Sequence, residues 1–250
     1  MDYTKIARYY DNVRITSPDY LRFWSSRIMQ YGSITERSKV LDIGCGTGRF
    51  TLMLAKISSA EVYAIDPSDE MLSEAKKKDK KKMVVWRRGG AEKLPFPDEH
   101  FDCVYMTFVF HHVKNGRKAI SEMRRVLKSK GKCVILTISH GHIRSSPLYL
   151  FPGARKIDLA RFPTLPELKN MLRRGGFSDV HYHMDRMKSR KMMPINQYLG
   201  LVKRKHVSTL TFFDDEEFKR RYRIFKRRLR ERYGDCVKLR QGLLLVSGCK

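Results

Sequence analysis

The most constraining feature of this sequence is a short apolar run that leads straight into three closely spaced glycines. Residues 39–43 are typical of a buried strand, the glycine bend Gly44–Gly48 (G-C-G-T-G) follows at once, and residues 49–57 repeat apolar side chains at helical spacing. Glycine permits close backbone approach and left-handed φ angles. The start of a helix offers free N–H groups and a positive dipole. The pattern therefore predicts an α/β sheet with a ligand seated on the glycine bend.

Two classes of nucleotide cofactor use such a bend. The dinucleotide pattern G-x-G-x-x-G holds a pyrophosphate, but here the third glycine comes one residue early. In addition, Asp42 lies two residues before the first glycine. A carboxylate there repels a pyrophosphate but attracts an ammonium, directly or through water. S-adenosylmethionine carries an amino-acid ammonium and no phosphate, so the bend favours this methyl donor over NAD.

An acid at the end of the second predicted strand indicates a nucleoside. Residues 61–65 are apolar enough for a strand, and Asp66 and Pro67 end it. A carboxylate at this point accepts hydrogen bonds from ribose hydroxyls, although it serves NAD and S-adenosylmethionine equally. Met71 follows, and its thioether either lies against the adenine or packs in a helix core. The sequence leaves both interpretations open.

The remaining segments alternate between strand and helix patterns, which predicts a doubly wound α/β sheet with helices on both faces. Residues 140–163 are expected to form an inserted loop and residues 184–211 to be irregular. A long helix is predicted over 214–233, with acids at its N-terminus and arginines toward its C-terminus. Further strands are predicted at 83–86, 101–107, 133–138, 177–183 and 242–246.

Five ordered segments resemble the class I S-adenosylmethionine-dependent methyltransferases, and most nearly the ubiquinone/menaquinone-biosynthesis type (methyltransferase type 11). These segments are Val40–Gly48, Ala64–Ser68, Gly90–Phe96, Phe101–Val104 and Glu122–Lys128. The resemblance implies a Rossmann-like sheet of seven mostly parallel strands, the last one antiparallel, with helical or loop insertions as a cap. The implied segments are an N-terminal helical cap at 1–38, the donor-binding core at 39–183, a basic insertion serving as substrate cap at 184–236, and the final strand at 237–250.

The resemblance also implies roles for individual residues. Asp42, Gly44 and Gly46 hold the methionine part of the donor, Asp66 binds the ribose, and an N-terminal aromatic residue folds over the donor. Family members often carry Asp where Gly90 stands, which weakens one adenine hydrogen bond here. The residues predicted to bind or line the donor are Asp42, Gly44, Cys45, Gly46, Asp66, Met71, Ala91, Glu92, Thr107, Phe108 and Tyr10.

Candidate catalytic groups follow the fourth predicted strand. Methyl transfer is an in-line displacement, so a general base is needed only when the acceptor must lose a proton. His111 and His112 lie at the edge where open α/β sheets bind ligands, and either could take that proton. The alternative is that they pack or cap. His140 and His142 line the acceptor cavity or lie in an exposed loop. No His, Cys or Asp grouping has metal-ligand spacing, so no metal is predicted.

The charge balance is strongly basic, with 52 Lys and Arg against 26 Asp and Glu and a net charge of +26. Such a field attracts RNA or an acidic protein partner, but a solvated surface explains it as well. No apolar run is long enough for a membrane span, and the N-terminus lacks an apolar signal core. Five scattered cysteines fit a reducing, cytoplasmic setting.

These observations together predict a cytoplasmic methyltransferase that uses S-adenosylmethionine on an unidentified acceptor, with a small molecule as the leading interpretation. Three alternatives stay open: an RNA acceptor, a protein acceptor, and donor binding without catalysis. The oligomeric state and the methylated atom are not predicted.

Overall fold

The computed structural model describes residues 11, 17–187, 192–239 and 241–250, without the side chains of residues 185–187 and 241. The chain divides into two compact units. Unit 1 comprises the described residues up to Thr137, then Leu165–His183 and Leu245–Lys250. Unit 2 comprises Ile138–Thr164 and the described residues of Met184–Leu244.

The described helices and strands up to Thr137 belong to unit 1 and make up most of it. Helix α1 begins with Ser17, whose side chain accepts a hydrogen bond from the Tyr20 amide at 3.2 Å. Helix α3 begins in the same way with Ser68, and acids fill its first turn and lysines its last, as the helix dipole favours. The elements are α1 Pro18–Gly32, β1 Lys39–Ile43, α2 Arg49–Ser58, β2 Glu61–Asp66, α3 Asp69–Lys78, β3 Val84–Arg88, β4 Phe101–Thr107, a 3₁₀ turn Phe110–His112, α4 Gly116–Val126 and β5 Leu127–Ile138.

The helices and strands from residue 140 onward are those of unit 2, together with α7 and the last two strands of the central sheet. They are α5 His140–Ser145, a 3₁₀ turn Pro147–Leu150, α6 Ala154–Arg161, α7 Leu165–Arg174, β6 Ser178–Met187, β7 Met192–Pro194, α8 Ile195–Lys203, a 3₁₀ turn Ser208–Phe212, α9 Asp215–Tyr233, β8 Cys236–Lys238 and β9 Gln241–Cys249.

The central sheet has seven strands in the order β3-β2-β1-β4-β5-β9-β6. The pairs β1–β2, β1–β4, β2–β3 and β4–β5 are parallel. Strand β9 runs against β5, because Lys250 bonds to Gly131 at one end and Ser139 to Gly242 at the other. The predicted Rossmann-like sheet with an antiparallel last strand is therefore confirmed. The strand order reverses between β1 and β4, the point where open α/β sheets bind ligands at their carboxyl edge.

Unit 2 has an apolar core of its own. Phe151, Val202, Phe225 and Leu229 are at most 1% exposed and belong to one buried cluster. The carboxylate of Asp158 lies in the same unit at 2% exposure and accepts hydrogen bonds from Tyr149 at 2.7 Å and Thr209 at 2.6 Å. Strands β7 and β8 pair antiparallel as a separate small sheet.

Two predictions about irregular structure are wrong. Residues 140–163 form helices α5 and α6 with a 3₁₀ turn between them, and residues 192–212 contain β7, α8 and another 3₁₀ turn. These helices have six to nine residues. Short helices gain their stability from tertiary packing and not from local periodicity. In the division of the structure, residues 138–164 and 237–244 group with the described residues of 184–236 in unit 2.

Candidate active site

The glycine bend joins β1 to α2 and leaves one open position. Gly44, Gly46 and Gly48 all have positive φ, at 76°, 54° and 75°. A Cβ on Gly44 would lie 2.5 Å from Val109, and one on Gly48 would lie 2.6 Å from the Trp86 ring. A Cβ on Gly46 would meet no atom of the described residues within 4 Å. Gly44 and Gly48 are thus required by packing, while Gly46 borders space that no described atom occupies.

Asp66 fixes the bend from the end of β2. Its two carboxylate oxygens accept the Gly46 amide at 2.8 Å and the Ser68 amide at 2.9 Å. Partial burial raises the pKa of this carboxyl, and the two amides oppose that shift. A carboxylate offers about four acceptor positions, so Asp66 keeps capacity for hydroxyl donors such as those of a ribose.

Asp42 lies beneath the bend and is fully buried. Its Oδ2 accepts the Thr51 hydroxyl at 2.6 Å. Burial raises the pKa of this carboxyl to about 7, although Thr51 and the nearby Tyr105 hydroxyl oppose the shift. The buried Tyr105 hydroxyl lies close enough to the carboxylate to affect its pKa, but neither this hydroxyl nor Asp42 Oδ1 has a well-formed hydrogen bond among the described residues. In this conformation Asp42 has no exposed surface, so its predicted interaction with an ammonium, direct or through water, stays a prediction.

The carboxyl edge of β4 carries strained backbone. Phe108 has a φ of 57°, which is unfavourable for a bulky side chain. Its amide donates to Leu136 at 2.8 Å, and its ring centroid lies 5.9 Å from that of Phe50. Thr107 and Phe108 are half-buried. Backbone strain concentrates at ligand sites. The strained segment follows β4 directly and lies beside the glycine bend, which Val109 contacts.

The two candidate histidines occupy the 3₁₀ turn that follows. His111 and His112 are half-buried, and their ring centroids lie 4.0 Å apart. The His112 amide donates to Val109 at 2.7 Å, which ties this turn to the segment behind Gly44. The structure therefore places the turn that carries both histidines at the carboxyl edge of β4, and their role as a base stays a prediction.

The residues predicted to surround the adenine differ in their exposure and in their contacts. Ala91 and Glu92 are half-buried, and Glu92 accepts the Asn115 amide at 2.9 Å. A Cβ on Gly90 would meet no described atom within 4 Å. Met71 is 3% exposed on the buried side of α3, which favours the interpretation as a helix core residue. Tyr10, like Tyr9, lies outside the described residues.

One contact to the bend involves a residue far away in sequence. Asp11 accepts the Thr47 hydroxyl at 2.6 Å and lies 3.5 Å from Arg49 and 2.5 Å from Lys78. Asp11 belongs to the segment whose neighbouring aromatic residues were expected to fold over the donor. Its contact with the bend was not predictable from spacing, because 36 residues separate it from Thr47.

The other two candidate histidines, His140 and His142, make contacts within unit 2. His140 bonds to the Phe162 carbonyl at 2.7 Å, and His142 accepts the Gly242 amide at 3.3 Å, so both serve contacts inside unit 2. The prediction of an exposed loop around them is wrong. No group of three or more His, Cys, Asp or Glu in the described part of the chain is arranged to hold a metal ion. None of the described helices has the length and apolarity needed to cross a bilayer.

Known proteins resemble this chain in sequence. Residues 41–135 match the methyltransferase domain family. The chain is 31% identical over 207 residues to demethylmenaquinone methyltransferase of Bacillus velezensis, covering 72% of this chain and 89% of that protein. It is also 31% identical over 174 residues to a ubiquinone/menaquinone biosynthesis C-methyltransferase of Psychromonas ingrahamii, covering 67% of this chain and 66% of that protein.

Solved structures share the fold at lower identity. A putative methyltransferase from an antibiotic biosynthesis pathway of Anabaena variabilis superposes with a TM-score of 0.70 at 22% identity, covering 90% of this chain and 96% of that one. Phosphoethanolamine N-methyltransferase 2 of Haemonchus contortus, solved in complex with S-adenosyl-L-methionine, superposes with a TM-score of 0.63 at 19% identity. It covers 100% of this chain and 60% of that one.

Proposed function

Because this chain belongs to the S-adenosylmethionine-dependent methyltransferases of the ubiquinone/menaquinone-biosynthesis type, we propose that it methylates a small-molecule acceptor with a hydroquinone-like ring. The enzyme class and the methyl donor follow from the family. The acceptor is the proposal. The observation that carries it is the match to 89% of the length of a protein named for demethylmenaquinone.

We assign the donor to the surface formed by the glycine bend and Asp66. The bound donor supplies an electrophilic methyl group on a sulfonium. Asp66 would accept the ribose hydroxyls with its remaining acceptor capacity, while the backbone at Gly46 would lie against the methionine part. Asp42 would act from beneath, as a negative charge that favours the ammonium. Ala91 and Glu92 would border the adenine.

The proton step is assigned to His111 or His112. A hydroquinone carbon becomes nucleophilic when a ring hydroxyl loses its proton, so this acceptor needs a base. The pair lies at the carboxyl edge of β4, next to the strained Phe108. Replacement of the base by Asn should lower kcat by about 10²- to 10⁴-fold, and replacement of the other histidine should leave more activity. Equal, small losses for both variants would remove the assignment.

The experiment that tests the acceptor class is transfer of a labelled methyl group into a cell extract, separated afterwards into small-molecule, RNA and protein fractions. The proposal expects label in the small-molecule fraction and on an added synthetic demethylated naphthohydroquinone. An Asp66→Ala variant controls for label that does not come from this enzyme. Label only in RNA or protein would select one of the alternative acceptors, and donor binding without any label would indicate a non-catalytic protein. The role of residues 184–236 as an acceptor cap stays a prediction.

A further inference from the structure

Helix α9 presents a continuous cationic surface. We name it the Arg face, and it consists of Lys219, Arg220, Arg223, Lys226, Arg227 and Arg230. All six side chains are exposed. They recur at intervals of three and four residues, which places them along one side of the helix. From Arg220 to Arg230 the helix rises about 15 Å. The opposite side of α9 is buried through Phe218, Phe225 and Leu229, so the orientation of the Arg face is fixed.

The charges on this face are only partly neutralised. Lys219 pairs with Glu216 at 2.7 Å, and Arg227 reaches Glu231 at 3.8 Å, both in exposed positions where ion pairs are weak. Among the residues that the structure describes, no carboxylate forms an ion pair with Arg220, Arg223 or Lys226. Like charges three and four residues apart repel one another. A surface that keeps this repulsion in the folded chain suits an external polyanion.

We propose that the Arg face is a docking surface for single-stranded RNA, held through its phosphodiester backbone. Four of the six cations are arginines, whose planar guanidinium groups bind phosphate oxygens in a bidentate manner. A linear array of cations matches a linear array of phosphates. The docking surface does not depend on which acceptor receives the methyl group.

A membrane surface is the competing polyanion, and the packing of α9 argues against it. A helix that lies on a bilayer inserts its apolar side between the lipids. Here that side belongs to the core of unit 2, with Phe225 and Leu229 fully buried and Phe218 at 7% exposure. The Arg face itself offers no apolar anchor, so adsorption to lipid would rest on charge alone.

Phe212 supplies a second, independent observation. This ring is 55% exposed, although most large apolar side chains of unit 2 are buried, and the Arg161 guanidinium lies 4.7 Å from its centroid. An exposed aromatic ring beside an arginine is the arrangement on which unpaired bases stack. A single strand offers both phosphates and unpaired bases, whereas a duplex offers phosphates only.

The test measures binding of the full-length chain to three ligands by fluorescence anisotropy or vesicle sedimentation. The ligands are a mixed-sequence RNA of about 16 nucleotides, a DNA duplex of the same length, and vesicles of phosphatidylcholine with phosphatidylserine. The Arg-face variant carries Arg220→Gln, Arg223→Gln, Arg227→Gln and Arg230→Gln. The matched control removes the same number of charges from an exposed region of unit 1, through Lys76→Gln, Lys80→Gln, Lys81→Gln and Lys82→Gln.

The wild-type chain should prefer RNA over the duplex and the vesicles. The Arg-face variant should lose about tenfold or more in RNA affinity, and its slope of log affinity against log salt should fall by about 3, near 0.7 for each lost contact. The control should lose less than about threefold, since only screened long-range charge is removed. Phe212→Ala should lose about fivefold or more for RNA.

Circular dichroism and urea denaturation report whether each variant is folded, and Arg223→Gln with Arg227→Gln replaces the fourfold variant if that one does not fold. Equal losses in the Arg-face variant and the control would overturn the proposal, because net charge alone would then explain binding. Retention on anionic vesicles without RNA binding would overturn it in favour of a membrane surface. Absence of RNA binding by the wild-type chain would also overturn it.

Discussion

Units 1 and 2 use buried carboxylates in opposite ways. In unit 2, Asp158 accepts two hydroxyls and lies 3.2 Å from the Arg161 guanidinium, so its charge and its acceptor capacity are met inside the unit. In unit 1, Asp42 has one oxygen without a well-formed hydrogen bond among the described residues, and Asp66 has acceptor positions left over. A satisfied carboxylate stabilises a fold, whereas a partly exposed carboxylate with acceptor positions to spare, such as Asp66, is suited to bind a ligand.

The two units also differ in charge. Unit 2 contains 22 Lys and Arg against 8 Asp and Glu, and unit 1 contains 30 against 18 in a longer stretch of chain. The basic surplus is therefore concentrated in the unit that lacks the donor-binding motif.

Among the substitutions that test this contrast between the two units, the largest effect is expected at Asp158. Asp158→Ala should lower the free energy of unfolding by about 3–5 kcal/mol, because it removes the acceptor of the Tyr149 and Thr209 hydroxyls and the carboxylate that pairs with the mostly buried Arg161 guanidinium. Donor affinity, a property of unit 1, should change little. Urea denaturation and calorimetry of donor binding measure the two quantities, with the exposed Asp235→Ala as control. A loss of donor affinity without a loss of stability would contradict the structural role.

The pH dependence of stability tests Asp42. Its pKa is raised from 3.8 to about 7 in the folded chain, so the folded state holds a proton that the unfolded state has released between these values. Stability from this group is full below pH 4 and is lost as the pH rises through 7. A shift of this size corresponds to about 4 kcal/mol as an upper limit.

Asp42→Asn should remove that dependence. The free energy of unfolding is measured for the wild type and for Asp42→Asn from pH 4 to 8. As the pH rises, the wild type should lose stability relative to Asp42→Asn. Parallel curves would show that Asp42 titrates normally. Saturating donor should lower the pKa of Asp42, because a bound ammonium favours the charged carboxylate.

A substitution of Asp66 should affect donor affinity, whereas the substitution of Asp158 should affect stability. Asp66→Ala should weaken donor binding by about 1–3 kcal/mol, the cost of losing one charged hydrogen-bond partner. Calorimetry provides the measurement, and Asp69→Ala is the control, since Asp69 is exposed and forms its ion pair with the exposed Arg88. Equal donor affinity in Asp66→Ala and the wild type would contradict the ribose assignment.

The smallest effect is expected at Met71. Met71→Leu conserves volume in a buried position, so stability should fall by less than about 1.5 kcal/mol. Donor affinity should stay within about twofold if the side chain is only helix core, which is less than 0.5 kcal/mol. A clear loss of affinity at unchanged stability would instead restore the adenine contact as its role.

Unit 1 was predictable because local rules agree with its fold. The bounds of β1 match the prediction, and the glycine bend and the acid at the end of β2 follow from their spacing. In unit 2, the long helix predicted over 214–233 and observed as α9 follows from capping and dipole preferences. The short helices α5, α6 and α8 were not predictable, because each needs the apolar core of unit 2 before it is stable. Their apolar residues show no period long enough to identify in isolation.

The site was predictable in composition but not in detail. Asp42 and Asp66 were identified from their distance to the glycines, yet the complete burial of Asp42 depends on Thr51 and Tyr105, which lie on other elements. The contact between Asp11 and Thr47 depends on tertiary structure in the same way. Spacing places a residue at the end of a strand, and only packing decides which of its atoms remain available.

The most direct test of the donor assignment is a crystal structure of the full chain with S-adenosylhomocysteine, the product that lacks only the transferred methyl group. The account predicts ribose hydroxyls within hydrogen-bond distance of Asp66, about 2.5–3.0 Å, and the amino-acid tail against the backbone at Gly46. A nucleoside bound away from Asp66, or a tail that does not approach the three glycines, would contradict it.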